Sequence, residues 1–189
     1  VSPRLFVALD VPAAVRARLA GWCAAAAPEG VRQVPAENLH ITLAFLGSRS
    51  AAEADAVASL LPAVARAGRA GTLETAGALW LPPRRPGVLT VAIAHDDGLR
   101  ALRAALVDAL RAAIGFGPER RPFRPHVTVA RVARGARVAA SALDPPPGLR
   151  FEAEAVMLYR SHTVRAGARY EALARCAVAR DGAPDDGGC

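Results

Sequence analysis

At 189 residues the chain is long enough for one full-sized core and too short for more than two domains. Its 52% hydrophobic content, much of it Ala, holds no run near the roughly 20 apolar residues that cross a bilayer, so no membrane-spanning helix is expected. The net charge of +7 rests on 24 basic residues that are all Arg, a planar fork suited to phosphate, and favours an anionic partner, nucleic acid included; an Arg-for-Lys habit of the whole proteome accounts for the same ratio. Cys23, Cys176 and Cys189 are scattered and lack metal-ligand spacing, so reduced thiols are expected, with neither a disulfide framework nor a zinc site.

The N-terminus enters an apolar alternation at once and lacks the charged head and long apolar stretch of a signal peptide, which places the protein in the cytoplasm as an expectation. Arg4 to Leu9 reads as a strand, and Val11 to Ala27 as a helix opened by Pro12. A loop through Pro35 and Asn38 leads to a β-branched strand, Leu39 to Leu46, ended by Gly47. Strict alternation puts His40, Thr42 and Ala44 on one face, and Leu39, Ile41, Leu43 and Phe45 on the other, as core. Ser50 to Glu53 is a capping box, opening a helix to about Ala67.

Thr72 to Leu81 and Val88 to Ala94 read as two strands joined by a basic, Pro-rich tip carrying Arg84 and Arg85. Leu99 to Ile114 has helical spacing of Leu99, Leu102, Leu106 and Leu110, a core stripe. A basic loop, Gly117 to Pro125, precedes a strand at His126 to Val132. Phe151 to Tyr159 and Tyr170 to Val178 complete the strands, and residues 181–189 read as a disordered tail behind a single bilobal domain, 1–180.

Two stretches repeat. The first strand and its helix align with Leu89 to Ile93 and its helix at an offset of 84 residues, and His40-Ile41-Thr42 aligns with His126-Val127-Thr128 at 86. With this composition a His meets a Thr two places on by chance roughly 3% of the time, so a doubled match carries weight. On a strand, residues two apart leave the same face, so two imidazoles and two hydroxyls can line one groove. Two imidazoles that ordinarily titrate near neutrality can act as base and acid in phosphodiester transfer, with the Thr hydroxyls on the phosphate oxygens. That chemistry calls for no metal and no cofactor, and neither motif has a nearby second metal ligand.

Asn38 to Gly47 and Arg121 to Arg131 resemble the two signature segments of the two-histidine (2H) phosphoesterases. More closely, they are similar to those of the bacterial RNA 2',3'-cyclic phosphodiesterases, also called 2'-5' RNA ligases. The resemblance covers nearly the whole chain except the tail. It implies an α+β, bilobal fold of two antiparallel sheets related by a pseudo-two-fold around a central cleft, with helices outside. It also implies metal-independent opening of RNA 2',3'-cyclic phosphate to a 2'-phosphate, with His40 as proton donor, His126 as proton acceptor, and Thr42 and Thr128 binding phosphate. The expected partners are RNA ends or nucleotides carrying that cyclic phosphate, and a monomer is expected.

Arg131 looks like a family phosphate contact, yet strict alternation sets it on the face opposite His126 unless strand twist re-aims it. Phe123 is either a base-stacking surface or a loop-packing residue. Arg84, Arg85, Arg120, Arg121 and Arg124 are candidates for RNA-backbone contact, while His95 and His162 read as surface residues. The same residues admit a reversible 2'-5' ligase, a small cyclic-nucleotide phosphodiesterase, or an RNA-end binding module that holds phosphate without turnover.

Overall fold

The computed structural model describes residues 4–67, 71–118, 121–140, 142–164 and 167–178; Arg120 and the tail from 181 lie outside them. Strand β1 (Arg4–Asp10) leads into helix α1 (Ala13–Ala26), as the Pro12 signal predicts. A short strand β2 (Val31–Gln33), absent from the sequence reading, and a 3-10 turn at Ala36–Asn38 lead to β3 (His40–Ser48) and helix α2 (Ala51–Ala67). The capping box forms reciprocally: Glu53 N–H donates to Ser50 Oγ at 3.2 Å, and Ser50 N–H donates to Glu53 Oε2 at 2.8 Å. Strands β4 (Leu73–Leu81) and β5 (Val88–Ile93) form the expected hairpin, followed by α3 (Asp97–Ile114) and β6 (His126–Val132).

The expected strand from Phe151 to Tyr159 is divided. Strand β7 (Arg150–Phe151) pairs with β4, whereas β8 (Ala155–Val164) pairs with β1 and with β9 (Gly167–Ala177). The chain crosses from one half of the sheet to the other between them, and no single straight strand can serve both partners.

All described pairings are antiparallel, in the order β7-β4-β5-β6-β3-β1-β8-β9, with β2 added to β6. The expected two antiparallel sheets are thus two half-sheets, β7-β4-β5-β6 and β3-β1-β8-β9. They meet where Ile41 pairs with Val127, between the two His-containing strands. The helices pack in exchange: α1 lies against β6 and β2, and α3 against β3 and α2. The predicted stripe of Leu99, Leu102, Leu106 and Leu110 is fully buried. Cys23 is a free, buried thiol, but Cys176 is disulfide-bonded, which departs from the expectation of reduced thiols throughout.

The internal repeat is real in the pairing but its first offset is corrected. Asp10 stands opposite His40 and Ala92 opposite His126, which relates β1 to β5 by 82 residues instead of 84. The slip of two keeps every side chain on its own face, so the sequence alignment could not detect it.

Ile41 and Val127 are completely buried at the join. Ile41→Ala is expected to lower unfolding stability in urea by about 2–5 kcal/mol, the usual cost of such a truncation; a loss under about 1 kcal/mol would show that the join does not hold the halves together.

Candidate active site

The two His strands share one backbone irregularity. Against β1, Val7 pairs with Ala44 and Ala8 with Thr42, leaving Leu43 as an extra residue. Against β5, Leu89 pairs with Ala130 and Thr90 with Thr128, leaving Val129 extra. Such a bulge puts two residues opposite one and reverses the alternation beyond it. Both strands accordingly show the same sequence of burial: half-buried His, buried residue, half-buried Thr, two buried residues, then an exposed side chain.

The reversal has direct consequences for the fifth residue after each His. Arg131 comes round to the face of His126 and Thr128; the expected conflict with alternation is removed by the bulge. Phe45, assigned to the core by strict alternation, is instead 64% exposed on the face of His40 and Thr42. The one signal that could have found it is its matching place in the repeat, five residues after His40 as Arg131 is after His126.

His40, Thr42, His126, Thr128 and Arg131 all line a single open cleft of about 500 Å³. Arg4 and Tyr170, which the sequence reading did not single out, border the same cleft. Phe123 lines an adjoining pocket of about 200 Å³ that shares Thr42, Phe45 and His126 with the cleft. The Arg103 guanidinium lies 4.6 Å from the centre of its ring and donates from Nε to the Leu43 carbonyl at 3.2 Å. Phe123 is thereby held by a cation–π contact. Of the other arginines proposed for RNA, Arg121 and Arg124 line this pocket, whereas Arg84 and Arg85 border neither cavity.

Both imidazoles are oriented in the same way. His40 Nδ1 lies 2.7 Å from the Asn38 carbonyl and His126 Nδ1 2.7 Å from the Arg124 carbonyl, each the oxygen two residues earlier. A carbonyl only accepts, so each Nδ1 carries a proton and each Nε2 is the nitrogen presented to the cleft. His40 Nε2 is 3.0 Å from Thr42 Oγ1; with the ring neutral, that hydroxyl donates to it.

The surroundings of the two rings differ. Phe6 packs on the His40 ring at 5.0 Å between centres, and Tyr170 meets it edge-on at 5.4 Å. Burial among these rings pushes the His40 pKa down to about 4, helped by the positive charge of Arg131 and the charge of a protonated His126. The Asn38 carbonyl, and more weakly the Asp10 carboxylate, oppose it. His95 and His162 are exposed and face nearby carboxylates, His95 toward Asp97 and His162 toward Glu171, consistent with surface roles.

Among the described residues no three His, Cys, Asp or Glu side chains cluster in a way that could hold a metal ion, and no described helix is long and apolar enough to cross a membrane. The cleft brings two imidazoles, the Thr42 and Thr128 hydroxyls and Arg131 around one open volume, an arrangement fitted to proton transfer at a phosphate.

Comparison with known proteins agrees with that reading. The sequence model of the 2'-5' RNA ligase superfamily matches residues 11–165. An RNA 2',3'-cyclic phosphodiesterase of Escherichia coli (strain K12) is 34% identical over 184 residues, 93% of this chain and 96% of its own. Among solved structures, TT0787 of Thermus thermophilus is similar with a TM-score of 0.79 at 27% identity, covering 93% of this chain and 97% of its own. E. coli LigT complexed with 3'-AMP is similar with a TM-score of 0.77 at 34% identity, covering 95% and 100%.

The buried position of His40 fixes an expected titration. Burial disfavours the charged ring, so in the ligand-free protein its imidazole NMR signals should shift with a midpoint near 4, well below the ordinary 6.5. Inorganic phosphate in the cleft should move that midpoint upward. A ligand-free midpoint near 6.5, or no response to phosphate, would contradict the placement.

Proposed function

The chain belongs to the 2'-5' RNA ligase superfamily, and from that premise we propose that it hydrolyses RNA 2',3'-cyclic phosphate ends to 2'-phosphates, without a resident metal, through His40 and His126. The single observation that carries this reading is the convergence of both Nε2-presenting imidazoles, both Thr residues and Arg131 on one cleft.

In this reading the cyclic phosphate sits between the two rings. His126 Nε2 takes a proton from a water that attacks phosphorus, and His40 Nε2–H delivers one to the departing 3'-oxygen. The P–O3' bond breaks and the phosphate stays on the 2'-oxygen. Thr42, Thr128 and Arg131 bind the non-bridging oxygens, where negative charge builds.

His40 must then be protonated, although burial lowers its pKa to about 4. The substrate supplies the difference. Bringing the ring from 4 to 6.5 corresponds to roughly 3 kcal/mol. A phosphodiester anion about 4 Å away, at an effective dielectric near 20, contributes about 4 kcal/mol. The attraction is large enough to outweigh the burial. Once the ring is charged, Nε2 becomes a donor, and the Thr42 hydroxyl is released from it to serve the phosphate.

The lowering of the His40 pKa by burial favours a second reading, in which His40 is the base and His126 the acid. A leaving group that needs no proton separates the two. With EDTA present, an oligonucleotide ending in 2',3'-cyclic phosphate should yield the 2'-phosphate, and His40→Ala or His126→Ala should each lower kcat by about 10²–10⁴-fold. A substrate with sulfur in place of the 3'-oxygen should restore turnover in His40→Ala alone. Rescue of His126→Ala instead would reverse the roles, and undiminished activity in both variants would remove the assignment. Phosphate-end binding with no turnover of either substrate would leave an RNA-end binding module.

A further inference from the structure

Two cavities meet at His126, and His40 borders the larger of them. The larger, about 500 Å³, is bordered by Arg4, Arg131 and Tyr170 and has the size of a nucleoside site. The smaller holds about 200 Å³. Among the described residues its wall carries three arginines, Arg103, Arg121 and Arg124, and no carboxylate. Arg103 is engaged on Phe123 and on the Leu43 carbonyl. Arg121 and Arg124 are exposed and take part in no ion pair among the described residues. Phe45 stands at the boundary, bordering both cavities.

A strand that ends in a cyclic phosphate must leave the reacting centre in two directions. Its terminal nucleoside occupies one side, and the rest of the chain departs through the 5'-oxygen on the other. The next charged group along that path is the internucleotide phosphate, and the smaller cavity presents two cations available for an anion.

Resting on the phosphodiesterase reading above, we infer that Arg121 and Arg124, beside Phe45 and Phe123, form a subsite for the internucleotide phosphate next to the terminal nucleotide, so that oligonucleotide ends are preferred to cyclic mononucleotides. The bound phosphate replaces solvent around both guanidiniums, and arginine's planar fork suits it to that contact. The exposed Phe45 ring is a face on which the base of an adjoining nucleotide can stack. The basic loop before β6 therefore selects substrate length, whereas the His strands carry the reaction.

The test compares adenosine 2',3'-cyclic phosphate with the dinucleotide ApA ending in 2',3'-cyclic phosphate and carrying a free 5'-hydroxyl. The native protein should show kcat/KM about tenfold higher on the dinucleotide, the scale of one charge-assisted contact. Replacing the internucleotide phosphate by an uncharged methylphosphonate should abolish the preference. The double variant Arg121→Ala/Arg124→Ala should lose it through KM, with mononucleotide turnover retained, and Arg121→Lys/Arg124→Lys should recover part of it. Equal kcat/KM on the two substrates, a preference that survives the methylphosphonate, or an equal loss on both substrates in the double variant would overturn the subsite while leaving the phosphodiesterase reading in place. No turnover of either substrate by the native protein would overturn that reading and the subsite with it.

Discussion

The cleft depends on one backbone departure made twice. An extra residue after each His-x-Thr, Leu43 in one strand and Val129 in the other, turns the fifth residue after His back onto the working face. Without it, both strands would offer only a His and a Thr, and Arg131 and Phe45 would point into the core. An arginine there would be a buried, uncompensated charge, costly enough to forbid a regular strand in that register. The bulge thus reconciles a packed sheet with a site that needs three side chains per strand. The sheet in turn brings the two copies together, because Ile41 and Val127 pair at the only described contact in register between the half-sheets.

The same duplication sets the orientation of both rings and then departs from symmetry in their surroundings. Each Nδ1 is tied to the carbonyl two residues earlier, which leaves Nε2 as the reactive atom in both. Around His40, however, Phe6, Tyr159 and Tyr170 close in. The residue opposite it is Asp10, whereas Ala92 stands opposite His126. Two matching motifs thereby sit in different surroundings, and burial among the rings disfavours the charged form of His40.

Much of this was legible in the sequence because it rests on local signals. The β-branched runs, the Pro12 and Ser50 helix starts and the leucine spacing in α3 each state their element within a few residues. His40, Thr42, His126 and Thr128 were legible because they lie before the bulge, where period-two alternation still holds. Phe45 was misread, and Arg131 left in conflict, because a bulge follows from pairing with a distant strand and has no signature in the strand's own residues. The split at Glu152 and the 82-residue relation of β1 to β5 are likewise properties of partners, not of segments. Arg4, Tyr170 and Arg103 escaped for the same reason: nothing near them in sequence refers to the cleft they border.

The central claim is that the two imidazoles act on one phosphorus. Its most direct test is a crystal structure of the native protein with a 2'-phosphorylated nucleotide product in the cleft. The account predicts phosphate oxygens, or the ribose 3'-oxygen, within about 3 Å of Nε2 of both His40 and His126, with Thr42, Thr128 and Arg131 on the remaining oxygens. A phosphate bound by only one of the two rings, with the other turned away or separated from it, would contradict the account.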